Sequence, residues 1–140
     1  MKKLVFALLM MSTAAMAEDT RQLVVFNSAA QETLRQEMRD NLFALHEVLA
    51  LMAVGQVKEA GEVAESKLGV SSMGKHRLLP PDARPGPQMP QAMHAMGIDG
   101  HKAASEFASV ALSGDKEKAQ MMLPKLSSGC VTCHASYRTR

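Results

Sequence analysis

The chain of 140 residues carries 16 Lys and Arg against 14 Asp and Glu, and aromatic residues make up only 4% of it. A balance so close to neutral gives no general attraction to nucleic acid, and the length suits one ordinary domain. Ala, Leu, Met, Glu and Lys are abundant, there is no Trp and one Tyr, and no segment alternates apolar and polar residues long enough to insist on a strand, so helices are expected.

The chain begins with a basic pair, Lys2 and Lys3, an apolar run over 4–11, and the small-residue site Ala15-Met16-Ala17. That order reads as an export leader over 1–17, leaving one mature domain over 18–140 in the periplasm or otherwise outside the cytoplasm. The apolar run is too short to span a bilayer and nothing later reads as a span, so no stable membrane insertion is expected. Two lysines leave with the leader, which brings the mature balance to 14 against 14.

A first helix is expected over about 28–54, with a core stripe of Leu34, Met38, Leu42, Leu45, Leu49 and Met52 at the spacing of a bundle helix. Arg35, Arg39 and Asp40 lie off that stripe, and Gly55 supplies the stop signal. A second helix follows over about 57–68, closed by Gly69. Residues 70–90 hold Pro80, Pro81, Pro85, Pro87 and Pro90 with Gly74 and Gly86, which excludes a long regular element. This one long connection carries Lys75, His76, Arg77 and Arg84; a cover over a cofactor edge and a solvated basic loop are both compatible with it. A third helix is expected over about 91–112, with Ile98, His101, Ala104, Ala108 and Leu112 on one face, Phe107 alongside, and a softened turn at Gly97 and Gly100. After Ser113-Gly114-Asp115 a fourth helix is expected over about 116–137, with Ala119, Met122, Leu126, Cys130, Cys133 and Tyr137 as its stripe and a kink at Pro124. Four amphipathic helices with one long link describe an all-α, antiparallel four-helix bundle.

The two cysteines of the chain stand in Cys130-Val131-Thr132-Cys133-His134. Two thiols one helical turn apart, followed at once by an imidazole, form the attachment sequence for a c-type haem. Each sulfur adds to one vinyl group on the same porphyrin edge, and the histidine offers a ring nitrogen to the iron. A zinc site would need a second ligand pair, and no other cysteine exists to build one. A thioredoxin-like dithiol normally opens a helix after a strand, and a disulfide across two residues closes almost no loop.

An export leader, Leu34-Arg35-Gln36-Glu37-Met38-Arg39 in the first helix, a Pro-rich loop and the terminal Cys-Val-Thr-Cys-His-Ala-Ser-Tyr-Arg together resemble the class II c-type cytochromes. That family comprises cytochrome c prime and its low-spin six-coordinate relatives, and the resemblance spans essentially the whole mature chain. It implies that Cys130 and Cys133 hold one haem c covalently, that His134 is the proximal ligand of its iron, and that Arg138 lies near the haem. It also implies that the distal residue comes from the first helix. Met38 is the matching candidate; a register one residue later would bring Arg39, another Leu42, and an apolar wall would leave the iron five-coordinate. His46, His101, His76 and His94 read as surface or satisfied interior histidines.

With Met38 on the iron the chain is expected to carry single electrons between periplasmic redox proteins, not to act as an enzyme. With the distal side empty it is expected to bind nitric oxide or carbon monoxide. Family members often pair through their first two helices, so a homodimer is compatible with the resemblance. A looser group of thioethers and imidazoles, Met73, His76, Met89, Met93, His94 and Met96, is a candidate Cu(I) ligand set.

Overall fold

Capping and breaking residues divide the chain into helices in the computed structural model, which describes residues 18–140. The leader expected over 1–17 lies outside the described residues. After a two-residue strand β1 (Gln22–Leu23), helix α1 spans Ser28–Ala53 and α2 spans Val57–Val63. Helix α3 spans Gln91–Leu112, α4 spans Lys116–Ser136, and a second short strand, β2, covers Tyr137–Arg138. The described chain is all-α apart from the parallel pairing of β1 with β2.

The helix boundaries follow local chemistry. The Asn27 side chain accepts the Ala30 N–H at 2.8 Å and opens α1; the Asp115 side chain accepts the Lys118 N–H at 3.0 Å and opens α4. Gly114, at φ +82°, makes the tight reversal between α3 and α4 in a conformation that side-chain-bearing residues resist. Beyond Val63 the second helix widens into π spacing over Ala64–Leu68, reaching the expected end at Leu68 by a different geometry. The connection over 70–90 contains only short 3-10 turns at Val70–Ser72, Pro81–Ala83 and Gly86–Gln88, as its prolines require.

Helices adjacent in sequence are also neighbours in space: α3 packs most extensively on α4, α2 on α3, and α1 on α2. Small residues let them approach. The larger core group contains Ala60, Ala64, Ala104, Ala108, Ala111 and Ala119 around the fully buried Phe107 and Val48. Where α3 crosses α4, a Cβ built on Gly129 would stand 3.0 Å from the Gly100 Cα. Helix α3 runs without a break through Gly97 and Gly100, and it is the missing side chain of Gly129 that lets α4 approach the backbone of α3 at Gly100. Pro124 lies inside helix α4.

The core stripe of α1 differs from the expected one. Its buried residues are Ala30, Leu34, Ala44, Val48 and Met52, whereas Leu42 is 67% exposed and Leu49 44%. At ~100° per residue, Met38, Leu49 and Leu42 fall about 80°, 100° and 120° from Val48. They therefore sit on the shoulder of the helix. On α3 Leu112 is similarly exposed, and Ala103, Ala111 and Met93 are buried in its place.

A second, smaller core group lies at the end of the fold carrying the cysteine motif. Val24, Phe26, Ala30, Leu34 and Met93 are buried there, with Met89, Cys133 and Tyr137 packed against them. No helix among the described residues is long and apolar enough to cross a membrane.

Candidate functional site

The last turns of α4 present Cys130, Cys133 and His134. Their spacing puts the two thiols on one side of the helix and turns the imidazole about 100° away from Cys133. Neither thiol is in a disulfide; Cys133 is half-buried and Cys130 exposed. Partial desolvation pushes both thiols above their ordinary range, and the neighbouring Cys130 adds to the effect at Cys133.

Beside this helix end lies a cavity of about 580 Å³. From α4 it is lined by Cys133 and His134, and from the chain beyond by Tyr137, Arg138 and Thr139. Helix α1 contributes Leu34, Arg35, Met38 and Arg39; α3 contributes Met93 and Gly97; Met89 and Arg21 complete the wall. Met38, 37% exposed, thus faces the same space as Cys133 and His134. Arg39, the alternative at one residue's shift, borders it too, whereas Leu42 does not. A Cβ built on Gly97 would have no atom within 4 Å, so this position keeps the α3 side of the cavity open.

The cavity is strongly cationic. Arg21, Arg35, Arg39 and Arg138 all line it. Arg35 donates to the main-chain oxygen of Arg140, and Arg39 pairs with Glu32 at 3.1 Å on the surface. Arg21 donates through Nε and Nη2 to the two carboxylate oxygens of Asp19, at 2.8 and 2.7 Å, which holds the Asp19 carboxyl down at about 2. Arg138 Nε is buried and lies 3.4 Å from the same carboxylate without a well-directed hydrogen bond. Four guanidinium groups against two carboxylates leave an excess of donors for an anionic group.

The long connection does not supply those arginines. Arg84 donates to the Leu79 carbonyl at 2.8 Å and Arg77 to that of Gly74 at 3.2 Å. Lys75 pairs with the Glu37 carboxylate of α1 at 3.2 Å, and His76 Nε2 is buried 3.2 Å from the same carboxylate without a well-directed hydrogen bond, so His76 is not the solvent-facing residue its loop position suggests. The cavity-facing arginines come instead from α1 and from the two chain ends. Arg35 and Arg39 are off the apolar stripe of α1 but on the side the cavity occupies, and Arg21 reaches it only because β1 pairs with β2.

The other histidines are accounted for. His101 Nδ1 lies 2.7 Å from the Leu68 carbonyl oxygen and 3.4 Å from the Ser72 hydroxyl, fastening the end of the π segment to α3. His46 and His94 are exposed. The candidate copper ligands are dispersed: Met89 and Met93 border the cavity, Met73 a separate shallow hollow, and His76 lies beside Glu37. Among the described residues no cluster of three or more His, Cys, Asp or Glu side chains forms a metal site.

A cavity of this volume suits a cofactor-sized organic group, since such sites run to roughly 300–1,000 Å³. Its wall combines apolar side chains, a thiol able to form a thioether, an imidazole and a thioether on separate helices, and a guanidinium-rich margin. No family model, no curated protein and no solved structure matches the chain.

Proposed function

We propose that the chain is a monohaem c-type cytochrome resembling class II members, an antiparallel four-helix bundle that carries single electrons between periplasmic redox proteins. The observation that carries this reading is that one cavity brings together Cys133 and His134 of α4 and Met38 of α1. A haem brings four nitrogen ligands of its own, so the protein needs to add only axial ones, and the lack of a larger ligand cluster among the described residues is compatible with it.

In this reading Cys130 and Cys133 bind the haem c covalently, and His134 holds the iron from the proximal side. Met38 supplies the distal sulfur, and Arg138, which lines the cavity, lies near the haem. The group supplies one-electron iron chemistry; the chain orients it, excludes water with Leu34, Met89 and Met93, and raises its potential through thioether ligation. Leu42 and Phe43, 67% and 72% exposed on α1, are the residues a homodimer would cover.

The partial exposure of Met38 favours one second reading. If its sulfur does not reach the iron, the distal side is open and the chain binds nitric oxide or carbon monoxide. Optical spectra of the matured protein, oxidised and reduced, with and without carbon monoxide, separate the two. Electron carriage predicts a sharp low-spin reduced spectrum that carbon monoxide leaves unchanged, and a Met38→Leu variant that turns high-spin and binds the gas. A wild-type spectrum already high-spin and altered by carbon monoxide replaces electron carriage with gas binding.

A further inference from the structure

The N-terminal residues before α1 cross the end of α4 that carries the candidate haem ligands. Gln22 and Leu23 pair in parallel with Tyr137 and Arg138, and the Val24 N–H donates to the Arg138 carbonyl at 2.8 Å. This pairing brings Arg21 to the cavity wall, where Nη1 donates to the carbonyl oxygen of His134 at 3.3 Å. The remaining edge of that guanidinium is taken by Asp19 through a two-pronged contact, and Asp19 Oδ2 also faces Arg138. One carboxylate is therefore shared by two of the cations that line the cavity. A planar fork is needed to reach His134 and grip Asp19 at once, which an ammonium group reproduces only in charge.

We infer that Asp19 and Arg21 form a charged strap that ties down the His134 turn and sets the reduction potential of the group held in the adjoining cavity. This rests on the haem reading above. One electron enters from a donor protein and reduces ferric iron to ferrous; the same electron leaves to an acceptor, with no bond made or broken. Reduction lowers the positive charge at the iron by one, so a nearby cation favours the reduced form and a nearby carboxylate the oxidised form. The Arg21 and Asp19 side chains are 42% and 43% exposed, so salt weakens both effects.

The two residues consequently have opposite electrostatic signs, which a purely structural tie between chain ends does not. The test uses matured, full-length holoprotein and the variants Arg21→Gln, Asp19→Asn and Arg21→Lys, each checked for covalent haem by pyridine haemochrome and for folding by circular dichroism. Midpoint potentials are then measured by spectroelectrochemistry at low and high ionic strength. The strap predicts a lower potential for R21Q, a higher one for D19N, both shifts shrinking with salt, and a potential near wild type for R21K. Shifts of the same sign in R21Q and D19N, or none in either, overturn it while leaving the haem reading intact. Wild-type protein without covalent haem overturns the haem reading first, and the strap with it.

Discussion

Replacing Gly129 by alanine places a methyl carbon 3.0 Å from the Gly100 Cα and 3.6 Å from the Gly100 nitrogen. Both are backbone atoms of α3, so no side chain can swing aside and the helices must separate by a few tenths of an ångström. Overpacking of this kind costs about 1–3 kcal/mol, against which alanine returns about 0.5–1 kcal/mol in a helix interior. The net loss of up to about 2.5 kcal/mol corresponds to a Tm lowered by up to roughly 10 °C for a domain of this size. Gly100→Ala is the internal control. Its Cβ would have no atom within 4 Å, so only the helix gain remains and stability should rise by about 0.5–1 kcal/mol. Urea denaturation of the two variants beside wild type reads both signs. Equal stabilisation by the two substitutions would refute the close α3–α4 crossing.

Phe107 is fully buried at the centre of the larger core group, and Phe107→Ala should cost about 3–5 kcal/mol, read as a lower urea midpoint. A loss below about 1 kcal/mol would mean that the alanine-rich helices do not pack around it. The Glu65 carboxyl is held below its ordinary value of 4.5, chiefly by the Ser105 hydroxyl, and the Ser71 N–H donates to its Oε1 at 3.1 Å. A carboxyl whose folded value is depressed contributes stability that is present above the unfolded value and is lost as pH falls through the folded one. Glu65→Gln should therefore flatten the acid limb of the stability–pH curve below about 4.5 and leave its slope at neutral pH unchanged. An unchanged acid limb in urea titrations would contradict the hydrogen bonding of the Glu65 carboxylate.

The helices were legible because their ends carry chemistry of short range. Ser28, Gly55, Gly69 and the Ser113-Gly114-Asp115 turn mark boundaries within a residue or two, and the prolines of 70–90 exclude a helix whatever surrounds them. The buried face of α1 was less legible. Counting large apolar residues favours Leu42 and Leu49, but close helix contacts accept Ala44 and Val48, and the leucines are left on the shoulder. The strands β1 and β2 have only two residues each, too few for alternation to show. Hence Arg21 and Asp19 carry no signal along the chain; only the pairing of its two ends brings them beside His134. The cysteine motif is read locally, whereas the shared cavity of Met38, Cys133 and His134 is a property of the packed helices. Gly97 and Gly100 illustrate the same gap: breakers by local propensity, they are an opening and a crossing point in three dimensions.

Covalent attachment of haem is the claim on which the functional account stands. The most direct measurement is the pyridine haemochrome of protein matured in an exporting host, taken after denaturation and acidic solvent extraction. Wild-type protein should retain one haem per chain with the spectrum of two saturated thioether links, and Cys130→Ala with Cys133→Ala should retain none. Haem that extracts freely from wild type, or that stays bound in the double variant, would contradict the account.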